Sequence, residues 1–397
     1  MPTEPPNTAK PISLPKFPTG AVPFGANEVR LSFWQWLAVS LLVVLVALSV
    51  PLLWEKLERF DTRPDYRIPY QLSKDYWLYG RRLRQATDPN RIVVLGDSVT
   101  WGEYVLPDGT LSHFLNQESG EKTQFVNGGV NGLFPLALEG LIDHYGKSLR
   151  HRKVIVHCNV LWMTSPKADL STDKEERFNH ADLVPQFSPR IPCYKADANA
   201  RLSAVVERNV RFLEWINHLQ NAYFDQKSIL NWTLADDGSD PPRYPNAWKN
   251  PFAQITFTVP PEPAVDPERG PKSPRHKPWS TTGEGSTRFE WVPLDRSLQW
   301  AAFQRLVKLL QSRGNDVLVV VGPFNEHIMA EENRPAFRSI RDGIADWLAT
   351  NHVTYVKPET LPSSLYADAS HPLTEGYQLL AKRLYSDAAF QKWMQGR

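Results

Sequence analysis

Four short apolar runs constrain this chain more than any other feature. They are Arg91-Ile92-Val93-Val94-Leu95, Thr123-Gln124-Phe125-Val126-Asn127, Lys153-Val154-Ile155-Val156-His157-Cys158 and Asp316-Val317-Leu318-Val319-Val320-Val321. Runs this short, rich in β-branched residues and closed by turn residues, read as buried strands. The first ends in Gly96-Asp97-Ser98, the second at Gly128-Gly129 and the fourth at Gly322-Pro323; residues 353–356 add a shorter one. Between them lie stretches with helical spacing of apolar residues, over 136–149, 298–312, 334–351 and 375–389. Strands alternating with helices predict an α/β fold: a doubly wound parallel sheet with helices on both faces.

A second constraint lies near the N-terminus. Between Arg30 and Glu55 stand 24 residues without a formal charge, LSFWQWLAVSLLVVLVALSVPLLW. At about 1.5 Å per residue they reach across a hydrocarbon core of about 30 Å. Trp34, Trp36 and Trp54 flank the segment as interfacial aromatics do. Residues 31–54 therefore read as a single-pass transmembrane anchor; Ala47-Leu48-Ser49 keeps a cleaved signal peptide as the alternative. A mean hydropathy of −0.41 excludes a polytopic membrane protein. Residues 1–30 carry seven prolines before Gly25 and read as a disordered leader. Lys10, Lys16 and Arg30 precede the anchor, but Lys56, Arg59, Arg63 and Arg67 follow it, so charge alone does not favour an exported C-terminus.

The remaining blocks are a charged, aromatic connector over 55–90, two α/β halves over 91–165 and 295–397, and an insertion over 166–294. The insertion is expected to hold an amphipathic helix at about 198–225, with Leu202, Val205, Val206, Val210, Leu213 and Ile216 on one stripe. Its stretch 241–278 contains eleven prolines, which exclude continuous helix or central strand. The insertion is expected to cap or border an active site; a loop without function is the plainer reading of its proline-rich part. Net charge is +2, from 45 Lys+Arg against 43 Asp+Glu, and gives no support for nucleic-acid binding. Two cysteines, Cys158 and Cys193, exclude a disulfide scaffold and leave one disulfide or two free thiols open. There is no Gly-rich phosphate loop and no HExxH, and Asp143, His144, His151 and His180 lack ligand spacing, so no metal and no cofactor are called for.

Ligands of open α/β sheets bind at the carboxyl ends of the strands. Ser98 directly follows the first strand there, at a position where free backbone N–H groups can stabilise an oxyanion; an ordinary N-cap is the bland alternative. Asp368-Ala369-Ser370-His371 places a carboxylate three residues before a histidine, just ahead of the last helix. A carboxylate so placed can orient the imidazole and leave its other nitrogen to deprotonate a serine.

With these motifs the chain resembles the SGNH/GDSL hydrolase superfamily, over roughly 90–165 and 300–397. The resemblance implies Ser98 as nucleophile, His371 as base and Asp368 as its orienter. It also implies an oxyanion hole formed by the Ser98 N–H, a glycine and an asparagine. Val126-Asn127-Gly128-Gly129-Val130-Asn131-Gly132 is similar to the second family block and points to Gly132, with Gly129 as a turn glycine. The third block departs from the family's GxND: the chain has His157-Cys158-Asn159-Val160, leaving Asn159 as donor or as a turn asparagine. Asn325 and His327, after the fourth strand, are further candidates for substrate contact, a solvated loop being the alternative. By resemblance to anchored proteins that O-acetylate cell-envelope polymers, the expected function is a serine esterase or O-acyltransferase on small acyl esters of a polysaccharide. That likeness implies a periplasmic or extracellular catalytic domain and a membrane acyl-donor protein as partner. A lipid esterase and a degenerate, non-catalytic binding module are the alternatives.

Overall fold

The computed structural model describes residues 31–120, 123–235, 249–262, 278–279 and 285–396. The leader and most of the proline-rich stretch lie outside the described residues. Five parallel strands form one sheet: β1 (Arg91–Gly96), β2 (Gln124–Gly129), β3 (Lys153–Cys158), β4 (Asp316–Val321) and β5 (Thr354–Val356). Their order is β2-β1-β3-β4-β5, with Val94 opposite Asn127, Leu95 opposite Val156 and Val156 opposite Val319. The direction of winding changes at β1, so the carboxyl ends of β1 and β3 frame the crevice where such sheets bind ligands.

The helices in chain order are α1 (Phe33–Leu57), α2 (Tyr76–Gln85), α3 (Ser98–Trp101), α4 (Leu111–Ser119), α5 (Pro135–His144), α6 (Ala198–Asn209) and α7 (Arg211–Tyr223). They continue with α8 (Ile229–Leu234), α9 (Pro251–Gln254), α10 (Leu298–Ser312), α11 (Arg334–Thr350), α12 (Thr374–Ser386) and α13 (Ala388–Gln395). Strand side chains alternate between faces, and each face has its own core. Val93, Leu95, Val126, Val154, Val156 and Val319 pack with residues of α2, α5, α10 and α11. Ile92, Val94, Phe125, Ile155, Leu318 and Val320 pack with residues of α4, α12 and α13. The expected doubly wound sheet is the observed one.

The chain divides into two compact units, Met1–Ser49 and Val50–Arg397. Among the described residues α1 is the one helix long and apolar enough to cross a membrane, with 25 residues and a mean hydropathy of 2.6. Its large apolar side chains from Phe33 to Leu48 are exposed.

Four expectations need correction, the first being the helix expected over 136–149, which ends at His144. The connector is part of the core: Trp77, Leu78, Tyr79 and Leu83 are buried, and the Tyr79 hydroxyl donates to Gly128 O at 2.9 Å. Tyr66, Trp77 and Tyr79 join the core on one face of the sheet. The long helix at 198–225 is two helices, broken at Val210 (φ −111°, ψ 101°). Beyond the break the helical phase is reset, so no single stripe runs through both halves. Leu202, Val206 and Val210 are exposed, while Ala204, Leu219, Ala222 and Tyr223 are buried. The final helix also ends early, at Ser386, where Asp387 caps a separate α13. Both cysteines are free and buried, which leaves the thiol reading of the two.

α7 also carries a buried His218, held between Asp75 (Nδ1 to Oδ2, 2.7 Å) and Glu58 (Nε2 to Oε1, 3.0 Å). Arg81 closes on Glu58 at 2.6 Å, and the Trp54 indole donates to it at 3.1 Å. The cluster joins the end of α1, the start of α2 and the insertion within one unit. Burial opposes the charged ring, but the two carboxylates outweigh it and push the His218 pKa up to about 9. Burial likewise opposes the Glu58 carboxylate, yet its hydrogen bond and charge interaction with His218 bring its pKa below the usual range. Because the folded His218 pKa lies above the ~6.5 of a free imidazole, its contribution is whole below about pH 6.5 and fades as pH rises. Thermal melts of the full-length chain in detergent should therefore show Tm falling between pH 6.5 and pH 9. His218→Ala should cost about 3 kcal/mol or more in chemical denaturation, since it leaves buried carboxylates short of a partner.

Candidate active site

Ser98, His371 and Asp368 meet although Ser98 and His371 lie 273 residues apart in sequence. Asp97 caps α3 by accepting from Val99 N at 3.0 Å, which places Ser98 as the first residue of a helical turn. Its backbone N–H therefore has no partner inside the turn. Gly129 is the last residue of β2 rather than a turn glycine, and the backbone of α3 presses against it. A Cβ there would lie 2.2 Å from Trp101 N, so only glycine allows the approach. Tyr377 of α12 donates to Val99 O at 2.7 Å and ties the same turn to the last helical layer.

The histidine comes from a closed turn before α12. Asp368 Oδ1 accepts from the backbone N–H groups of Ser370 and His371, both at 2.9 Å. The carboxylate then meets His371 Nδ1 at 2.7 and 2.8 Å. With Nδ1–H donating to Asp368, Nε2 stands 2.7 Å from the Ser98 hydroxyl and can accept its proton. Ser98 and His371 are buried, 6% and 5% exposed. Burial disfavours the imidazolium, but the Asp368 hydrogen bond and charge, then Glu103 and Asp97, outweigh it and raise the His371 pKa. The Asp368 carboxyl, despite burial, is held below its ordinary value chiefly by His371.

The two residues expected as oxyanion donors, Gly132 and Asn159, follow β2 and β3. Gly132 has a left-handed backbone (φ 69°), where a side chain would be strained and would also strike the Asn179 amide. Asn159 follows β3; its Oδ1 accepts from Leu161 N at 3.0 Å and its Nδ2 donates to Asp97 Oδ2 at 2.7 Å. One amide hydrogen is thus committed to Asp97 and the other is left over. The Trp162 indole donates to the same Asp97 oxygen at 3.0 Å, and His157 Nδ1 lies 3.3 Å from Oδ1. Burial raises the Asp97 pKa less than His157 and Asn159 lower it, so this interior carboxylate is ionised.

Asn325 and His327, expected to contact substrate, make hydrogen bonds within the chain. Asn325 is fully buried, its Nδ2 donates to Asp368 O at 3.0 Å and its N–H to Ala369 O at 2.8 Å, so it braces the turn that carries Asp368 and His371. His327 Nε2 donates to Leu361 O at 3.0 Å. Both serve the chain's own backbone. Several neighbours escaped the sequence reading. Glu103 Oε2 lies 3.4 Å from His371 Nε2, and Tyr104 meets the His371 ring edge-on at 5.3 Å. Their place just past the Ser98 turn was the only available signal. Trp162 had none.

Beside Gly132 opens a cleft of about 340 Å³, lined among others by Phe134, Trp162, Lys167, Arg177, Phe178 and Asn179. The insertion supplies most of that wall. Among the described residues no three His, Cys, Asp or Glu side chains converge as metal donors.

No protein-family model matches the chain, and neither does any curated protein. Among solved structures, one similar chain is a lipolytic protein of the G-D-S-L family from Desulfitobacterium hafniense DCB-2. The identity is 11% and the TM-score 0.33, with 75% of this chain and 98% of that one covered. So loose an overlap assigns no residue a role.

If Glu103 helps hold a proton on His371, Glu103→Gln should lower the imidazole pKa. The acid limb of any activity, read as kcat/KM against pH, should then move to lower pH. In the unsubstituted chain that limb should lie above the ~6.5 of a free imidazole.

Proposed function

We propose that the chain is a serine acyl-transfer enzyme, an esterase or O-acyltransferase working through an acyl-Ser98 intermediate. The observation that carries this reading is the continuous Asp368–His371–Ser98 hydrogen-bond path, 2.7 Å at each junction. His371 Nε2 takes the Ser98 proton as Oγ attacks an ester carbonyl. The same imidazolium then protonates the leaving alkoxide, and Asp368 stabilises its charge. The oxyanion falls to the Ser98 N–H, the Gly132 N–H and the uncommitted amide hydrogen of Asn159. In the second half, His371 deprotonates an acceptor that attacks the acyl carbonyl, and the imidazolium returns that proton to Ser98 Oγ as the acyl–serine bond breaks. Water as acceptor gives an esterase; a hydroxyl gives a transferase.

The small acyl ester of a cell-envelope polysaccharide is the substrate class we favour. Support comes from the cleft beside Gly132, where the half-buried Trp162 and Phe178 stand next to polar groups, as sugar rings require. In this reading α1 holds the enzyme in the bilayer, the catalytic domain is exported, and a membrane protein can serve as acyl donor. Neither a nucleic-acid partner nor a cofactor enters the chemistry. Hydrolysis of long-chain esters in preference to short ones would replace this reading by a lipid esterase.

A fluorophosphonate probe should label the full-length enzyme at Ser98, and Ser98→Ala should abolish labelling. On a short-chain ester, Ser98→Ala and His371→Ala should each remove nearly all activity. The double variant should be no worse than either, because one proton-transfer unit is lost only once. An unlabelled enzyme would leave the non-catalytic binding module as the better reading.

A further inference from the structure

The insertion reaches the donor loop through one buried histidine. His180 has a left-handed backbone (φ 57°, ψ 34°) and is 3% exposed. Its Nε2 lies 2.8 Å from Asn131 O, and its Nδ1 lies 2.9 Å from the Tyr76 hydroxyl. A carbonyl oxygen can only accept, so Nε2 carries the proton. Nδ1 of the neutral ring then accepts from Tyr76. Burial pushes the His180 pKa down to about 4, so the ring is neutral at pH 7.

Asn131 O and the Gly132 N–H belong to one peptide unit. That unit is planar and trans, so its C=O and N–H point in opposite directions. A donor that holds the oxygen therefore also sets where the N–H points. The unit lies past the end of β2 (Gln124–Gly129), outside the sheet's own hydrogen bonds. Glycine next to it leaves the plane free to flip unless something outside the loop restrains it. His180 supplies that restraint, and the Tyr76 hydroxyl of α2, donating to Nδ1, holds the other side of the ring.

We propose that His180 is a positioning residue for the oxyanion hole: its Nε2–H holds the Asn131 carbonyl so that the Gly132 N–H faces the carbonyl oxygen of a substrate on Ser98. This rests on the role given to Gly132 above. The insertion is then a component of the catalytic machinery as well as a wall of the cleft.

The test uses the full-length chain in detergent, with p-nitrophenyl acetate and a fluorophosphonate as probes. Losing an oxyanion donor outright lowers kcat by roughly 10²–10³, and misaiming one should cost less, about tenfold to a hundredfold. His180→Leu should lower kcat and the phosphonylation rate by that factor, with KM changed less than about twofold. His180→Gln, whose amide N–H can reach the same carbonyl, should recover a large part of the loss. A rise in KM with kcat preserved, or a glutamine variant as impaired as leucine at equal Tm, would overturn the proposal. Where His180→Leu fails to fold, Tyr76→Phe keeps the ring and removes the hydrogen bond that holds its Nδ1 side, so the ring is less firmly placed on Asn131. A severalfold fall in kcat at constant KM then supports the role, and an unchanged kcat refutes it. An unsubstituted enzyme that takes no fluorophosphonate sinks the Ser98 reading itself, a result distinct from normal labelling that ignores His180.

Discussion

The site depends on one buried carboxylate. Asp97 stands at the carboxyl end of β1 and accepts from Val99 N, Asn159 Nδ2 and the Trp162 indole, with His157 against its other side. An ionised carboxylate taken out of water costs several kcal/mol unless such donors surround it. Val99 belongs to the turn after β1, whereas Asn159, Trp162 and His157 belong to the end of β3 and the turn that follows it, so satisfying the charge also fixes how those two segments sit. The start of α3 is capped, the end of β3 is drawn to β1, and Ser98 is presented to His371. Had Asp97 been a simple exposed N-cap, none of these distances would follow from it.

The insertion is less an added lid than a partner in folding. Its residues Val184, Cys193, Leu219, Phe224 and Trp232 belong to the same core as one face of the sheet. Two histidines from it meet the rest of the fold in opposite charge states. His218 lies between two carboxylates and is held protonated, while His180 lies between a carbonyl and a hydroxyl and is held neutral. Burial is nearly complete for both, so the neighbours decide. Asp75 and Glu58 bring negative charge to the first; Asn131 and Tyr76 bring only dipoles to the second.

Much of the sheet was legible. The β3 and β4 runs and the α10 stretch have the bounds read from the residue pattern, because a strand buried on both faces needs an unbroken apolar run whatever its neighbours are. The insertion was not legible in the same way. The stripe of Leu202, Val206 and Val210 has helical period, yet it is exposed, and the buried positions of α7 include a histidine. Periodicity reports that a helix has an apolar side. It does not report whether protein covers it, nor that a polar residue will find two carboxylates inside.

Local spacing determined the parts of the candidate site and left their assembly open. Asp368 and His371 are three residues apart, and a turn that short brings carboxylate and ring together on its own. Asp97 and Ser98 are neighbours, so the helix cap and the serine arrive as one piece. The approach of Ser98 to His371, the donors gathered on Asp97 and the grip of His180 on Asn131 all join segments distant in the chain. Asn325 shows the limit most plainly: position at a strand end suggested substrate contact, and packing turned it inward to hold Asp368. The covalent chain limits the reach of neighbouring residues. Which distant groups meet is decided only when the strands register, both faces are covered and each buried charge has found its donors.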